Sequence, residues 1–224
     1  FDGDVIVLYG DTPFVREDTL ARMLAARAAH DIVVLGFEAA NPGRYGRLVM
    51  EGEHLSRIVE AKDATPEELA IRFCNSGLMV ADAATLMDLL KAVGNDNASG
   101  EYYLTDVPAL AAARGLSATA VACDEAETLG INTRAELAAA EALFQQAKRS
   151  EARENGVTLV APDTVVFAHD TYLGRDVLVE PNVVFGPGVT VENDATIRAF
   201  SHLEGCHVGA RATVGPYARL RLGA

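Results

Sequence analysis

Apolar residues recur at every sixth position over the last third of the chain, and this spacing restricts the fold more than any other feature. The series shortens once, to a five-residue step after Leu203. Its members are Ala161, Phe167, Leu173, Val179, Phe185, Val191, Ile197, Leu203, Val208, Val214 and Leu220. Neither an α-helix nor an ordinary strand has a period of six. A parallel β-helix of hexapeptide repeats does, because each of its short strands buries one apolar residue.

The residues that follow each apolar position favour the same coil. Four residues further on, the chain carries valine or a small residue at every repeat except the one that places His207 there. Small side chains suit tight corners, and the segments EPN, FGPG and END supply turn residues between strands. We therefore predict that residues 156–224 form part of a left-handed parallel β-helix. His202 and His207 are interpreted as structural residues of this coil, with His207 at a corner.

A long helix is predicted directly before the repeats. Thr133 and Glu136 form the T-x-x-E pattern of a capping box at its start, and Asn155 with Gly156 ends it. The segment between them is rich in alanine and charged residues, which suits a connector. The sequence thus predicts a first domain at residues 1–134, a linker helix at 135–155 and the repeat domain at 156–224.

The first 134 residues have the pattern of an α/β domain. The runs DVIVLY and DIVVLGFE are typical of buried strands, and a helical pattern beginning near Glu17 separates them. A strand, a helix and a second strand of this kind predict a βαβ unit and a largely parallel sheet. Further along, IRFCNSGLMV indicates a strand interrupted by a turn. AATLMDLLKAV and TDVPALAAARG indicate helices, and SATAVACDE indicates another strand.

Charge and cysteine usage restrict the partners and the compartment. The formal net charge is −13, so the surface repels phosphate backbones, and we expect neither a nucleic-acid nor a membrane partner. The spacing of Cys74, Cys123 and Cys206 matches no zinc or disulfide pattern, which predicts free thiols in a reducing cytoplasm. No apolar run reaches membrane-spanning length and no signal peptide is visible. We expect a cytoplasmic protein.

The segment VLYGDTP, residues 7–13, is the sharpest local sign of chemistry. In open α/β sheets, ligands bind beyond the carboxyl ends of strands, and Asp11 follows such an end after Gly10. Glycine allows a close backbone approach to a ligand, and a carboxylate there can hold Mg²⁺ together with phosphate oxygens. Taken locally, the same residues also fit an ordinary turn before Pro13.

An ordered set of motifs carries a family resemblance. VLYGDTPF, RYGRLV, RIVEAKDAT, CNSGLMV, GEYYLTDV and GINTRAEL occur in that order, followed by the capped helix and by repeats containing GPYARLR. The set resembles the bifunctional bacterial enzymes that make UDP-N-acetylglucosamine. In that family an N-acetylglucosamine-1-phosphate uridylyltransferase, or pyrophosphorylase, is fused to a glucosamine-1-phosphate N-acetyltransferase. The resemblance covers essentially all 224 residues, and its specificity lies in the ordered set.

The resemblance implies a fold and two reactions. It implies a Rossmann-like nucleotidyltransferase domain, a linker helix and a β-helix that assembles as a homotrimer. The first reaction is Mg²⁺-dependent uridylyl transfer from UTP to N-acetylglucosamine-1-phosphate, giving UDP-N-acetylglucosamine and pyrophosphate. The second is acetyl transfer from acetyl-CoA to glucosamine-1-phosphate. Because positioning and charge neutralisation dominate catalysis of phosphoryl transfer, the first reaction needs no nucleophilic side chain.

The resemblance also assigns site residues. Tyr9, Gly10 and Asp11 match the strand-end motif that lies against the nucleotide-sugar, and Asp11 would be one Mg²⁺ ligand. Asn132 would be the other and would contact the nucleotide. The residues that match the N-acetylglucosamine contacts are Gly46, Glu60 and Asn75. Arg221 matches an arginine that binds the sugar phosphate in the acetyltransferase site, although Leu222 stands where the family usually has proline.

Two family features do not occur in this sequence. A Gly-rich loop with a basic residue, which would cradle the triphosphate, should precede Phe1. The coils with the catalytic histidine, the lysines and the acetyl-CoA contacts should follow Ala224. Since the chain starts without methionine and ends within a repeat, we expect it to be a piece of the bifunctional protein that lacks both complete activities by itself.

Two other readings stay open from the sequence. Hexapeptide coils commonly trimerise, so the chain could be a non-catalytic assembly module. Alternatively, it could belong to another sugar-phosphate nucleotidyltransferase with a different nucleotide or sugar. The joint presence of Asp11, Glu60, Asn75 and Asn132 argues against a pure scaffold, and the contexts CNSG and IVEAKDAT favour N-acetylglucosamine by resemblance.

Overall fold

The computed structural model describes residues 2–222, so the predictions about the chain's start at Phe1 and its end at Ala224 lie outside the described residues. The chain divides into two compact units, Phe1–Asn132 and Thr133–Ala224. In the described part, no helix is long and apolar enough to cross a membrane. The three cysteines are free thiols, as predicted.

The first unit is an α/β domain built on a mixed sheet. Its strands are β1 (Asp4–Val7), β2 (Ile32–Glu38), β3 (Arg47–Glu51), β4 (His54–Val59), β5 (Phe73–Asp82) and β6 (Ala118–Cys123). Its α-helices are α1 (Glu17–Arg27), α2 (Pro66–Leu69), α3 (Ala83–Leu90) and α4 (Val107–Ala113), with short 3₁₀ turns at Leu104–Asp106 and Glu125–Thr128. The strand order is β4-β3-β5-β2-β6, and β1 also pairs with β5.

The prediction of a largely parallel sheet is wrong. Strand β5 runs antiparallel to β1, β2 and β3, and β3 runs antiparallel to β4; of the described strand pairs in this unit, β2 with β6 is parallel. The predicted βαβ unit exists, but β5 lies between its two strands. Strands β3 and β4, which were not predicted, form a hairpin. Their pattern is short and sits among turn residues, so its signal is weak.

Burial separates the central strands from the edge. The apolar residues of β2 from Ile32 to Phe37 are at most 1% exposed, which explains their continuous apolar run. Val33 and Leu35 pack on one face of the sheet with Met23 of α1, whereas Ile32 and Val34 face the cluster that contains α3 and α4. Strand β1 is only half-buried, in contrast to the prediction, because it pairs on one side with the second half of β5.

The predicted interruption in IRFCNSGLMV is a local irregularity within one continuous strand. The register between β2 and β5 shifts between Val34 and Gly36, opposite the segment from Asn75 to Met79. Gly77 lies within that segment at φ +90°, a conformation that favours glycine. A bulge of this kind bends a strand and redirects its side chains.

The second unit begins with the predicted helix, α5 (Arg134–Glu154). The capping box is present: the Glu136 amide donates to Thr133 Oγ1 at 3.1 Å, and the Thr133 amide donates to Glu136 Oε2 at 2.7 Å. Asn155 caps the other end, and Gly156 follows at φ +92°.

The rest of the second unit is a three-sided parallel β-helix, as the repeats predicted. Its strands are β7 (Thr158–Leu159), β8 (Val166–Phe167), β9 (Tyr172–Leu173), β10 (Leu178–Val179), β11 (Val184–Phe185), β12 (Thr190–Val191), β13 (Thr196–Ile197), β14 (His202–Leu203), β15 (His207–Val208), β16 (Thr213–Val214) and β17 (Arg219–Leu220). They stack as β7-β10-β13-β16, β8-β11-β14-β17 and β9-β12-β15. The second residue of each strand points into a core that includes Val179, Phe185, Val191 and Ile197.

Two details of the repeat assignment are corrected. The first strand ends at Leu159, which pairs with Val179, whereas Ala161 lies in the following turn and belongs to no strand. After the five-residue step, Cys206 takes the buried corner position, since its carbonyl accepts from Thr190 as the Val189 carbonyl accepts from Tyr172. His207 is therefore an exposed strand residue, and its Nε2 lies 3.0 Å from Glu192 Oε1.

Candidate active site in the first unit

Three of the predicted sugar-contacting residues meet at one end of the sheet. Gly46 precedes β3, Glu60 follows β4 directly, and Asn75 lies in β5. The Asn75 amide donates to the Gly46 carbonyl at 2.8 Å. A Cβ on Gly46 would lie 3.3 Å from Glu60 Oε1 and 3.6 Å from the Asn75 Cβ, so glycine allows these side chains to converge.

The Glu60 carboxylate is held from within the unit and borders open space. Thr105 Oγ1 donates to Glu60 Oε1 at 3.0 Å. Glu60 lines a cavity of about 570 Å³ together with Arg44, Ala61, Lys62, Glu101 and Tyr103. It also lines a smaller cavity of about 240 Å³ with three aspartates, namely Asp63, Asp96 and Asp106. The larger cavity has the size of a small-ligand pocket and offers both acceptors and cations.

Tyr9 connects this cluster to the Asp11 segment. Its ring lies against Gly77, where any Cβ would collide with it, and 44% of the residue remains exposed. Partial burial raises the pKa of the Tyr9 hydroxyl, and the nearby carboxylates of Glu60 and Asp11 raise it further. The phenol therefore stays neutral and can donate a hydrogen bond to a ligand.

The two predicted metal ligands are brought close together. Asp11 lies in a turn in which the Thr12 hydroxyl donates to the Tyr9 carbonyl at 3.0 Å. The Ile131 amide donates to the Asp11 carbonyl at 2.9 Å, which places Asn132 beside this turn. A Cβ on Gly130 would lie 3.8 Å from Asp11 Oδ2 and 3.7 Å from Asn132 Nδ2. Glycine at residue 130 therefore leaves the gap between the two side chains open.

The donor set suits a divalent cation that is held only in part by protein. No group of three or more His, Cys, Asp or Glu side chains that could hold a metal is found among residues 2–222. One carboxylate and one amide are too few for a complete protein cage. They match Mg²⁺, which prefers one or two carboxylates and takes its remaining ligands from water and substrate phosphates.

The other two predicted residues differ from this group. Gly10 is exposed, and a Cβ there would meet no atom within 4 Å, so packing within the chain does not require glycine. Arg221 belongs to the second unit, where it follows β17 and is exposed. The structure thus groups Tyr9, Asp11, Gly46, Glu60, Asn75 and Asn132 within the first unit.

Three residues of this site were not singled out from the sequence. Thr105 holds Glu60, Gly77 accommodates the Tyr9 ring, and Gly130 leaves the gap between Asp11 and Asn132 open. All three lie inside the motifs GEYYLTDV, CNSGLMV and GINTRAEL, so their presence in those motifs was visible. Their roles were not, because each depends on a partner far away in the chain.

Comparison with known proteins agrees with the repeats and extends to the whole chain. Residues 170–205 match the family model described as bacterial transferase hexapeptide (six repeats). The chain is 66% identical over 224 residues to the bifunctional protein GlmU of Jannaschia sp., and 69% identical over 224 residues to that of Ruegeria pomeroyi. These alignments cover 100% of this chain and 49% and 50% of the relatives. The chain thus spans about half the length of the curated relatives it matches.

A solved structure also matches the chain. The nucleoside-diphosphate-sugar pyrophosphorylase from Vibrio cholerae RC9 aligns with 62% of this chain and 56% of its own, at 15% identity and a TM-score of 0.49. The stronger similarity is to the curated relatives, which are identical to this chain at about two thirds of its 224 positions. Over its whole length, the chain is similar to about half of the length of the bifunctional GlmU proteins that it matches.

Proposed function

We propose that the first unit forms part of a site for Mg²⁺-dependent synthesis of UDP-N-acetylglucosamine from UTP and N-acetylglucosamine-1-phosphate. The observation that carries this proposal is the convergence of Gly46, Glu60 and Asn75, with Tyr9 near both Glu60 and Asp11 and with Asp11 near Asn132. The proposed sugar pocket and the proposed cation site would thus lie next to each other. The name of the relatives, bifunctional protein GlmU, supports this assignment over a non-catalytic assembly module.

On the sugar side, Glu60 and Asn75 would orient the substrate. Thr105 occupies Glu60 Oε1, so Oε2 is available to accept from a sugar hydroxyl. Carboxylate–hydroxyl hydrogen bonds are charge-assisted, which makes them strong and directional. Arg44 and Lys62 line the same cavity and would offset the charge of the sugar phosphate. These residues would hold the phosphate oxygen of the sugar in position to attack.

On the nucleotide side, Asp11 and Asn132 would hold Mg²⁺. The cation would neutralise charge as two anionic substrates meet, which matters for a chain of net charge −13. In the reaction, an oxygen of the sugar phosphate forms a bond to the α-phosphorus of UTP, and the bond to pyrophosphate breaks. Tyr9 and Gly10 would lie against the nucleotide-sugar, and the neutral Tyr9 phenol would donate to it.

For the second unit we propose a structural and a binding role. The proposed domain division is a first domain at residues 1–134, a linker helix at 135–155 and a repeat domain at 156–224. The repeat domain would assemble as a homotrimer and would supply Arg221 to a glucosamine-1-phosphate site, where acetyl-CoA is the donor. The guanidinium of arginine suits phosphate because it binds bidentately. Both reactions are assigned to the bifunctional protein, and a cytoplasmic location would provide their substrates.

The proposal is tested by sugar-nucleotide binding. The 224-residue chain is titrated with UDP-N-acetylglucosamine by calorimetry, once with Mg²⁺ and once with EDTA. We expect binding to weaken in EDTA and Asp11→Asn to remove this difference. Glu60→Gln is expected to weaken binding about 10- to 100-fold under both conditions, because a charge-assisted hydrogen bond contributes roughly 1.5–3 kcal/mol.

Glu68→Gln provides the matched control. Glu68 lies in the same unit and pairs with Arg57 at 2.7 Å but is not one of the candidate site residues, so Glu68→Gln should leave the affinity unchanged. Equal affinity for UDP-glucose would instead favour a nucleotidyltransferase with another sugar. If no sugar nucleotide binds at millimolar concentration, the proposed site is wrong and the assembly role is favoured.

A further inference from the structure

The two segments that carry Asp11 and Asn132 start from strands that are not neighbours. The Asp11 segment, residues 8–16, follows β1, and the Asn132 segment, residues 124–132, follows β6. Pairing places Val7, Met79, Val34 and Ala120 in one row across the sheet, so β5 and β2 lie between β1 and β6. Three interstrand steps correspond to about 14 Å. Additional contacts are therefore needed to hold the two segments together.

The strongest such contact joins Arg16 to Glu127. The Arg16 amide donates to Glu127 Oε2 at 3.1 Å, and the Arg16 Nη2 lies 3.1 Å from Glu127 Oε1. Arg16 therefore contacts both carboxylate oxygens, Oε2 through a hydrogen bond and Oε1 through an ion pair that does not have hydrogen-bond geometry. The Glu127 side chain is only 4% exposed, whereas that of Arg16 is 53% exposed. A buried carboxylate depends on its partner, because an uncompensated buried charge is strongly unfavourable.

Arg16 also links the ends of both segments. Its Nη1 lies 3.2 Å from Asp124 Oδ2, and its Nε lies 3.3 Å from Asp18 Oδ1 at the start of α1. At the opposite end of the segments, the Ile131 amide donates to the Asp11 carbonyl. The two segments are therefore tied at both ends, by an ion pair at Arg16 and by a backbone hydrogen bond next to the candidate metal ligands.

We propose that Arg16 and Glu127 are positioning residues that set the separation of Asp11 and Asn132 and hence the affinity for the divalent cation. This inference rests on the proposed function. Neither residue is one of the candidate ligands of the sugar or the cation. Removing either one lets the two segments separate, so the cation loses a ligand while the sugar contacts at Gly46, Glu60 and Asn75 persist.

The test measures metal binding directly. Mn²⁺ is used as the probe, and the free ion is counted by electron paramagnetic resonance in the presence of UDP-N-acetylglucosamine. We expect Glu127→Gln and Arg16→Gln each to weaken Mn²⁺ binding about tenfold. The double variant should bind Mn²⁺ no less tightly than the single variant that has the lower affinity. Sugar-nucleotide affinity in EDTA should stay within about twofold, and Arg16→Lys should recover part of the loss because lysine restores a positive charge opposite Glu127.

Arg57→Gln is the control, since it breaks the Arg57–Glu68 pair elsewhere in the same unit and should leave Mn²⁺ binding unchanged. Unchanged Mn²⁺ affinity in Arg16→Gln would overturn the inference. If Glu127→Gln does not fold, Arg16→Gln alone is sufficient to test it. If Asp11→Asn lowers Mn²⁺ affinity while Arg16→Gln and Glu127→Gln bind Mn²⁺ normally, the positioning role is wrong and the proposed function stands. If wild type and Asp11→Asn bind alike, both are wrong.

Discussion

In the β-helix, Val184 pairs with Val166 on one side and with His202 on the other, a step of 18 residues in each direction. In the first unit, β5 joins β1, whose Asp4 pairs with Asp82, to β2 and β3 from other parts of the chain. One structure repeats a single local rule, and the other depends on unique long-range pairings. In the coil, the repeat therefore predicts the position of each residue. In the α/β unit, the residues that come into contact are not related by any regular spacing in the sequence.

The largest expected effect tests whether the coil behaves as a stack of equivalent layers. Phe185 is 1% exposed and stacks on Phe167 with ring centroids 5.4 Å apart. Phe185→Ala should lower the free energy of unfolding of the coil by about 3–5 kcal/mol, because it leaves a cavity. Denaturant unfolding measures the loss.

Tyr172→Ala serves as the matched control in the coil, since Tyr172 is 61% exposed and should cost far less. UDP-N-acetylglucosamine binding by the first unit should survive both substitutions. Loss of that binding in Phe185→Ala would show that ligand binding by the first unit depends on the stability of the coil.

A smaller effect is expected for a glycine that only the first unit's long-range packing requires. Gly77 has φ +90°, and a Cβ there would collide with the Tyr9 ring. Gly77→Ala should reduce the free energy of unfolding by about 1–3 kcal/mol through backbone strain and displacement of the ring. It should also weaken UDP-N-acetylglucosamine binding in calorimetry. Gly94→Ala, where a Cβ meets nothing within 4 Å, should change neither quantity.

The smallest effect concerns the acidic cavity beside Glu60. Burial raises the pKa of Asp106, and the nearby Asp63 raises it further. The native state thus holds the Asp106 proton more tightly than the unfolded chain, so this stabilisation is present at low pH and is lost as the pH rises through the raised pKa. Asp106→Asn should therefore stabilise the protein at neutral pH, by less than about 0.5 kcal/mol. Below about pH 4 the difference should vanish.

Thermal unfolding between pH 3 and pH 8 measures this dependence. Asp88→Asn gives the opposite sign, because the hydrogen bond from Lys91 lowers the pKa of Asp88 and its loss removes stability at neutral pH. Equal pH dependence of the two variants would contradict the assignment of Asp106 to a partly buried, acidic environment.

Sequence patterns succeeded where the determinants were local. The capping box of Thr133 and Glu136 involves residues three apart, and the buried run of β2 follows from its own composition. The period of six located the coil strands from β8 onward. It failed at Ala161, where a 3₁₀ turn intervenes before the next strand, and at His207, where the shortened step moved Cys206 into the core.

The candidate site divides in the same way. Motifs named Asp11, Glu60, Asn75 and Asn132, but nothing in the sequence showed that Thr105 holds Glu60 or that Arg16 reaches Glu127. These contacts join residues 45 and 111 positions apart. They depend on β5 entering the sheet antiparallel between β1 and β2, which the strand–helix–strand pattern did not predict.

By itself, the sequence determined the repeating coil, its helix with a capping box and the identities of the chemical groups in the first unit. These features follow from spacing, composition and residues adjacent in the chain. Only the tertiary structure decided the strand order of the mixed sheet and the meeting of the segments at Asp11 and Asn132. Such features depend on which distant strands pair, and that choice reflects burial and hydrogen bonding over the whole unit rather than in any one segment.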